Sequence, residues 1–186
     1  MVPELAERGV ACVLECAPRL APLFARSMPG VTVVPRSDPP DPACLDAGIA
    51  AQTSCGDLGR WLRPGFSAFP ERRSFLQPEP AQRDRLREKY LARGKGPVIG
   101  IPWRSKHAGL TRHKSTRLTD WLPILGALDA SFVNLQYGDC TEEIAELEAR
   151  HGSAVYDDPE GDSFASLDDF AAQVAELFGQ ITGGLR

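Results

Sequence analysis

Short apolar runs alternate with amphipathic stretches through the first part of the chain. Residues 9–16 and 31–35 form two valine-rich runs, and residues 17–30 between them place leucine and phenylalanine at helical spacing before a Pro-Gly stop. This order predicts a β-α-β unit. A further short strand is predicted over 49–55, and a helical turn over 56–62 follows it.

The same alternation returns in the second half of the chain. Apolar strands are predicted at about 98–102 and 131–136, and each is followed by a helical pattern. The helices are expected to begin at the capping residues Thr119, Thr141 and Ser166. Strands that alternate with helices imply parallel sheets with right-handed crossovers, so these two strands should be neighbours in one sheet.

A boundary between two pieces is predicted where the periodicity is lost. Residues 62–79 contain repeated prolines and aromatic residues without a clear period. The interpretation is an α/β fold of two Rossmann-like pieces with parallel sheets. The first piece covers 1–79, a linker helix covers 80–96, and the second piece covers 97–186.

Charge is distributed very unevenly along the chain, although the net charge is only −4. Residues 89–119 hold eight basic and no acidic side chains, whereas residues 120–186 hold two basic and 14 acidic ones. A cationic segment inside an acidic protein indicates a small anionic ligand rather than a nucleic acid, whose binding face would be spread over a larger basic surface. A solvated basic loop is the alternative.

The cationic residues concentrate in 103–118, between a predicted strand and a predicted helix. Ligands of open parallel sheets bind beyond the carboxyl ends of strands, where helix N-termini favour anions. Phosphate or diphosphate is therefore the expected ligand. The candidate cations are Arg104, Lys106, Arg112, Lys114 and Arg117, and the candidate hydroxyl donors are Ser105, Ser115 and Thr116. The sequence contains neither GxGxxG nor GxxxxGK[ST], which argues against a dinucleotide enzyme or a P-loop ATPase.

Other candidate chemistry is weak in this sequence. The five cysteines are odd in number and form no CxxC pair, and the carboxylates of 156–164 do not follow the calcium-loop spacing. No metal and no cofactor are therefore predicted. Apolar runs are too short to span a membrane, and the first residues lack the pattern of a signal peptide, so a cytoplasmic location is expected.

Several stretches together carry a resemblance to a known family. In the second half these are residues 98–125, 132–147 and 166–177, and in the first half residues 13–36 and 56–64. They resemble the glycosyltransferase-like C-terminal module of bacterial tetratricopeptide-repeat proteins, which is related to heptosyltransferases and O-linked N-acetylglucosamine transferases. The resemblance implies the GT-B fold, with an acceptor-side first lobe and a donor-side second lobe that binds a nucleotide sugar as substrate.

The resemblance also implies particular site residues. Lys114 matches a lysine that contacts the donor diphosphate, and Trp103, Arg104 and Ser105 lie on the strand-end loop beside the same site. Gln136, at the end of the next strand, is expected close to it. Neither the residues nor the resemblance identifies a catalytic base.

The chain also departs from the family pattern and looks truncated at both ends. No D-N-S-T-x-H-like loop follows the last helix, and no 34-residue repeat is visible. The sequence therefore predicts a module that binds the diphosphate of a nucleotide sugar without transferring the sugar alone, and whether it is an enzyme stays open. The alternative is a non-catalytic phosphate-binding, nucleotide-binding or protein-interaction α/β module. The helix at 166–178 could mediate self-association through an exposed apolar face.

Overall fold

The chain divides into two compact units, Met1–Pro78 and Glu79–Arg186. The computed structural model describes residues 1–71, 74–94, 96–105, 115–152, 155–161 and 166–183. Each unit contains one small parallel sheet with helices, which confirms the predicted α/β class with parallel sheets.

The first unit is built on a β-α-β motif. Strands β1 (Cys12–Cys16) and β2 (Val31–Pro35) pair in parallel, and helix α2 (Ala21–Ser27) connects them. Two short helices, α1 (Val2–Glu7) and α3 (Leu58–Leu62), lie before and after this motif in the chain. The predicted β-α-β unit is therefore confirmed.

The strand predicted over 49–55 is wrong. Residues 49–54 have no regular secondary structure, and every residue from 46 to 57 is exposed. A strand in a small sheet is stabilised by burying one of its faces, and neither alternating face of this stretch is buried.

The second unit has a three-stranded sheet in the order β3-β4-β5, with all strands parallel. Strand β3 covers Val98–Ile101, β4 covers Ser131–Asn134, and β5 covers Val155–Tyr156. Val98 pairs with Ser131, so the predicted adjacency of these two strands is confirmed.

Helices cover both faces of this sheet. They are α4 (Pro80–Leu91), α5 (Leu122–Ala127), α6 (Thr141–His151) and α7 (Leu167–Gly183). One core contains Ile101, Trp103, Leu118, Leu125, Phe132, Cys140, Ile144, Leu147 and Val155. The other contains Leu86, Tyr90, Val98, Val133, Ala172 and Leu177. Adjacent β4 residues contribute to opposite cores, as the alternation of a strand requires.

The close approach of α7 to β3 depends on a glycine. A Cβ placed on Gly100 would lie 2.4 Å from Leu135 Cδ1 and 2.6 Å from Leu177 Cδ1. Because a side chain at this position would overlap both leucines, Gly100 lets α7 pack directly on the sheet.

The helix boundaries differ from the predicted ones in detail. Thr119 and Thr141 are not N-caps: a 3₁₀ turn begins at Leu118, one residue before Thr119, and Thr141 is already the first residue of α6. Single-residue shifts of this kind arise because neighbouring polar groups compete for the first free N–H groups. Ser166 does cap α7, since Asp169 N donates to Ser166 Oγ at 3.1 Å.

The helix predicted as a linker over 80–96 lies within the second unit. It ends at Leu91, and its Leu86 and Tyr90 are fully buried in one of the two cores. Among the residues that the structure describes, no helix is both long enough and apolar enough to cross a bilayer.

All five cysteines are free thiols. Cys16 and Cys140 are buried, Cys12 and Cys44 are intermediate, and Cys55 is exposed. Burial raises the pKa values of the Cys16 and Cys140 thiols above the ordinary value.

Candidate functional site

Polar side chains link the carboxyl ends of the strands in the second sheet. Asn134, the last residue of β4, donates from Nδ2 to Asp157 Oδ1 at 2.8 Å, just beyond β5. Its Oδ1 accepts from the Gln136 backbone N–H at 2.7 Å. We call this side of the sheet the carboxyl edge, where parallel α/β sheets bind their ligands.

Gln136 fixes the loop that follows β3. Its Oε1 accepts from the backbone N–H groups of Trp103 at 3.1 Å and Arg104 at 2.8 Å. The side chain is buried, so the two hydrogen bonds are shielded from water. The positions of Trp103 and Arg104 at the carboxyl edge are therefore set by a residue of the neighbouring strand-end loop.

Trp103 and Arg104 both bind the carboxylate of Glu143, in the first turn of α6. Arg104 Nη1 donates to Glu143 Oε1 at 2.8 Å, and Trp103 Nε1 donates to Oε2 at 3.0 Å. Arg104 Nη2 also donates to the Asp139 carbonyl oxygen at 3.0 Å and lies 3.3 Å from Cys140 Sγ. We call Trp103, Arg104 and Glu143 the Glu143 clamp. In this arrangement the Arg104 guanidinium faces partners inside the unit.

The residues on either side of the basic segment, which we define as 106–114, are hydrogen-bonded to each other. Ser105 N donates to Ser115 Oγ at 3.0 Å, and Thr116 N donates to the Trp103 carbonyl oxygen at 2.7 Å. The Thr116 hydroxyl donates to the same carbonyl at 3.0 Å. The described residues before and after the basic segment therefore meet at the carboxyl end of β3.

The helix start that follows this segment holds its own carboxylate. Arg117 N donates to Asp120 Oδ2 at 2.8 Å, and Asp120 N donates back to the Arg117 carbonyl oxygen at 3.0 Å. The Asp120 carboxylate therefore occupies the Arg117 N–H group, which is one of the free donors at this helix start. The helix α5 that follows has only six residues.

Hydrogen bonds join some of the predicted site residues to one another. Trp103, Arg104 and Gln136 share one hydrogen-bonded group, and Ser105 pairs with Ser115. Other predicted residues lie outside the described part of the chain: Lys106, Arg112 and Lys114.

Sequence reasoning missed Glu143 as a member of this site. An acidic residue in the first turn of a helix is expected for helix stability alone. Its contact with Arg104 depends on how α6 packs against the end of β3, and 39 residues separate the two in the chain. The alternation of strands and helices contains no signal for that pairing.

A second polar cluster joins α4, α7 and the segment after β5. Tyr90 donates to Asp158 Oδ2 at 2.8 Å, Lys89 Nζ donates to Asp158 Oδ1 at 2.8 Å, and Gln173 Nε2 donates to the Tyr90 hydroxyl at 3.0 Å. Burial, followed by the nearby Asp158 carboxylate, raises the pKa of Tyr90 far above its ordinary value, so the phenol stays protonated. This cluster holds elements together.

A groove of about 400 Å³ runs beside β5. Its lining includes Arg93, Glu148 and Tyr156, with the Arg93 guanidinium 3.4 Å from the centre of the Tyr156 ring. Of the predicted diphosphate-binding residues that the structure describes, none lines it. In the described part of the chain, no three His, Cys, Asp or Glu side chains converge as metal ligands would.

The chain is similar in sequence to a known bacterial protein. The chain is 37% identical over 170 residues to Protein FlbA of Caulobacter vibrioides. The aligned region covers 86% of this chain and 28% of FlbA. Because 86% of the chain is more than either unit contains, the similarity extends into both units. No protein-family profile and no solved structure matches the chain.

Proposed function

We propose that the second unit binds the diphosphate of a nucleotide sugar and is the donor-side part of a glycosyltransferase-like module. The observation that supports this proposal is that the residues flanking the basic segment are hydrogen-bonded to each other at the carboxyl end of β3. In this proposal the run of lysine, arginine and histidine in this segment lies where parallel sheets bind phosphate ligands. The resemblance to glycosyltransferases supplies the nucleotide sugar as the ligand class.

The chemistry of such a ligand fits a cationic segment. Cleavage of a bond between a sugar and a phosphate leaves a nucleoside diphosphate, and fixed cations stabilise its developing negative charge without a metal ion. In this proposal Lys114 and Arg104 contact the phosphates, with Ser105 and Ser115 beside them. Gln136 positions Arg104 through the backbone rather than through direct contact with the ligand.

Binding rather than sugar transfer is the activity that we propose for this chain. At the carboxyl edge, Glu143, Asp120 and Asp157 each already accept a hydrogen bond from a neighbouring group. A general base needs a carboxylate or imidazole that reaches the reacting hydroxyl of an acceptor. The chain spans about 28% of the length of FlbA, and the activity of such a longer protein is a separate proposal.

Calorimetric titration with uridine diphosphate at low ionic strength tests the proposal. We expect weak binding, with a Kd on the order of 1 mM, because a few charge-assisted hydrogen bonds must offset the entropy lost on binding. Lys114→Ala should weaken binding about tenfold or more, since one such bond contributes about 1.5–3 kcal/mol.

Arg150→Ala is the matched control for this titration. Arg150 lies in the last turn of α6, pairs with Glu146 at 2.8 Å and carries the same charge. Its removal should leave binding almost unchanged. Equal heats for the parent and Lys114→Ala would remove Lys114 from the site, and no heat with any nucleoside diphosphate or with pyrophosphate would overturn the proposal.

A protein-interaction role is a second candidate, favoured by exposed aromatic side chains in the first unit. Trp61 is 74% exposed, Phe66 96% and Phe69 58%. Light scattering of the purified chain tests it, because self-association would raise the measured mass with concentration. Self-association through α7 stays a prediction. We also propose a cytoplasmic location, which the five free thiols support.

A further inference from the structure

The donors at the carboxyl edge already hold an internal anion. One edge of the Arg104 guanidinium and the indole N–H of Trp103 bind the two oxygens of Glu143, at 2.8 Å and 3.0 Å. A phosphate group offers two oxygens to the same kind of donors, because charge-assisted N–H···O bonds form with either anion. The Glu143 clamp is therefore an anion receptor with a protein carboxylate as its occupant.

The two donors are held in place without help from Glu143. Gln136 Oε1 accepts from both of their backbone N–H groups, and the Trp103 ring is 3% exposed within a core. Arg104 has a further anchor at the Asp139 carbonyl oxygen. Withdrawal of the carboxylate would therefore leave the receptor formed and ready for another anion.

Glu143 itself is displaceable. Its side chain is 38% exposed and that of Arg104 is 29% exposed, so water reaches the ion pair. Partly exposed ion pairs contribute little net free energy, and a more highly charged anion competes well with them. Rotation of the Glu143 side chain alone would open the receptor, without any change in α6.

We propose that Glu143 is the gate of the diphosphate site. Its carboxylate occupies the Arg104 and Trp103 donors in the free protein, and a phosphate group of the nucleoside diphosphate displaces it. This inference rests on the proposed function, because it assigns a competitor to that same site. The gate also determines specificity, since an uncharged nucleoside or a simple carboxylate has no advantage over Glu143.

Calorimetry with uridine diphosphate on charge-neutral variants tests the gate. Glu143→Gln should bind uridine diphosphate roughly two- to fivefold more tightly than the parent, the range expected from removing a partly exposed ion pair. Glu142→Gln is the matched control, because Glu142 is the exposed neighbour in the same turn and loses the same charge. Its affinity should match that of the parent. Glu143→Ala provides a second variant, and circular dichroism checks that each variant is folded.

The indole N–H signal of Trp103 in NMR spectra gives an independent readout. It is assigned with Trp103→Phe, and it should move when uridine diphosphate is added to the parent. Without ligand, it should already be shifted in Glu143→Gln but not in Glu142→Gln, because only the first change alters the acceptor.

The outcomes separate the gate from the proposed function. Binding by the parent with equal affinities in the Glu143 and Glu142 variants overturns the gate and leaves diphosphate binding intact. Binding by Glu143→Gln alone supports both, since the parent is then held closed. An absence of binding in the parent and in every Glu143 variant overturns both.

Discussion

Two buried glutamines in the second unit have different roles at the scale of single residues. Gln136 accepts two backbone hydrogen bonds from the loop after β3. Gln173 is fully buried, donates one hydrogen bond to Tyr90, and has an Oε1 atom that accepts no hydrogen bond from the residues that the structure describes. Gln136 therefore provides the hydrogen-bond acceptor that two buried backbone N–H groups need, whereas Gln173 provides no such acceptor to the described residues.

The same substitution should therefore have unequal effects at these two positions. Gln136→Met leaves two backbone N–H groups without an acceptor and should lower the free energy of unfolding by about 2–4 kcal/mol. Gln173→Met removes one hydrogen bond and one unsatisfied acceptor, so its cost should be about 1 kcal/mol or less. Urea denaturation of both variants gives the comparison. Equal losses would mean that Gln136 does not hold the loop.

At this scale the sequence predicts which residues belong to the candidate site better than it predicts which side chains they bind. Trp103, Arg104 and Gln136 were assigned to one region, and the structure joins them by hydrogen bonds. The ion pair between Arg104 and Glu143 was not predicted. Tertiary packing determines which carboxylate lies next to a guanidinium, and residues 120–186 contain 14 carboxylates. Conformations of 106–114 lie outside the described residues.

At the scale of secondary-structure elements, packing of α7 on β3 limits the side chains that the sheet can carry. Gly100→Ala places a methyl group against Leu135 and Leu177, so one or both must move. We expect a loss of about 1–3 kcal/mol from this overpacking. Thermal unfolding followed by circular dichroism measures it.

Gly126→Ala is the matched control for that experiment. Gly126 lies in α5, and a Cβ there would meet no atom within 4 Å. Alanine favours the helical backbone more than glycine, so this variant should be more stable than the parent by up to about 1 kcal/mol. An unaffected Gly100→Ala would contradict the packing described for α7, and a destabilised Gly126→Ala would contradict the open space described at α5.

The elements themselves were largely predictable because their signals are local. Valine and isoleucine runs separated by helical periodicity gave β3 and β4 as parallel neighbours, and the structure confirms that pairing. The strand expected over 49–55 failed because a short run of mixed polarity does not show whether a buried face exists for it. The caps at Thr119 and Thr141 failed by one or two residues, within the usual uncertainty of helix ends.

At the scale of the whole molecule, both units contain a glutamate that acid should neutralise. Ion pairing with Arg63 lowers the pKa of Glu4 in the first unit from 4.5 to about 2. Arg85, followed by Lys89, lowers the pKa of Glu160 in the second unit from 4.5 to about 2. Each folded-state pKa is below the unfolded one, so these pairs stabilise the chain above pH 4.5 and lose that contribution as the pH falls toward 2.

The Tm of the chain should therefore fall as the pH is lowered through this window. Glu4→Gln and Glu160→Gln should each lower the Tm at pH 7 by roughly 2–4 °C, which corresponds to about 1 kcal/mol in a chain of this size. The difference in Tm between each variant and the parent should shrink toward pH 2, because Glu4 and Glu160 of the parent become protonated there. Glu71→Gln, at an exposed position of the first unit, should follow the parent at every pH.

The distribution of free thiols also makes the two units chemically distinguishable. The second unit contains a single cysteine, Cys140, which is buried beside Arg104 and whose pKa burial raises. The first unit contains Cys55, which is exposed. Because a maleimide dye reacts with accessible thiolate, brief labelling should attach the dye at Cys55 well before Cys140. The native chain can thus be given a fluorescent reporter on its first unit without replacing any residue.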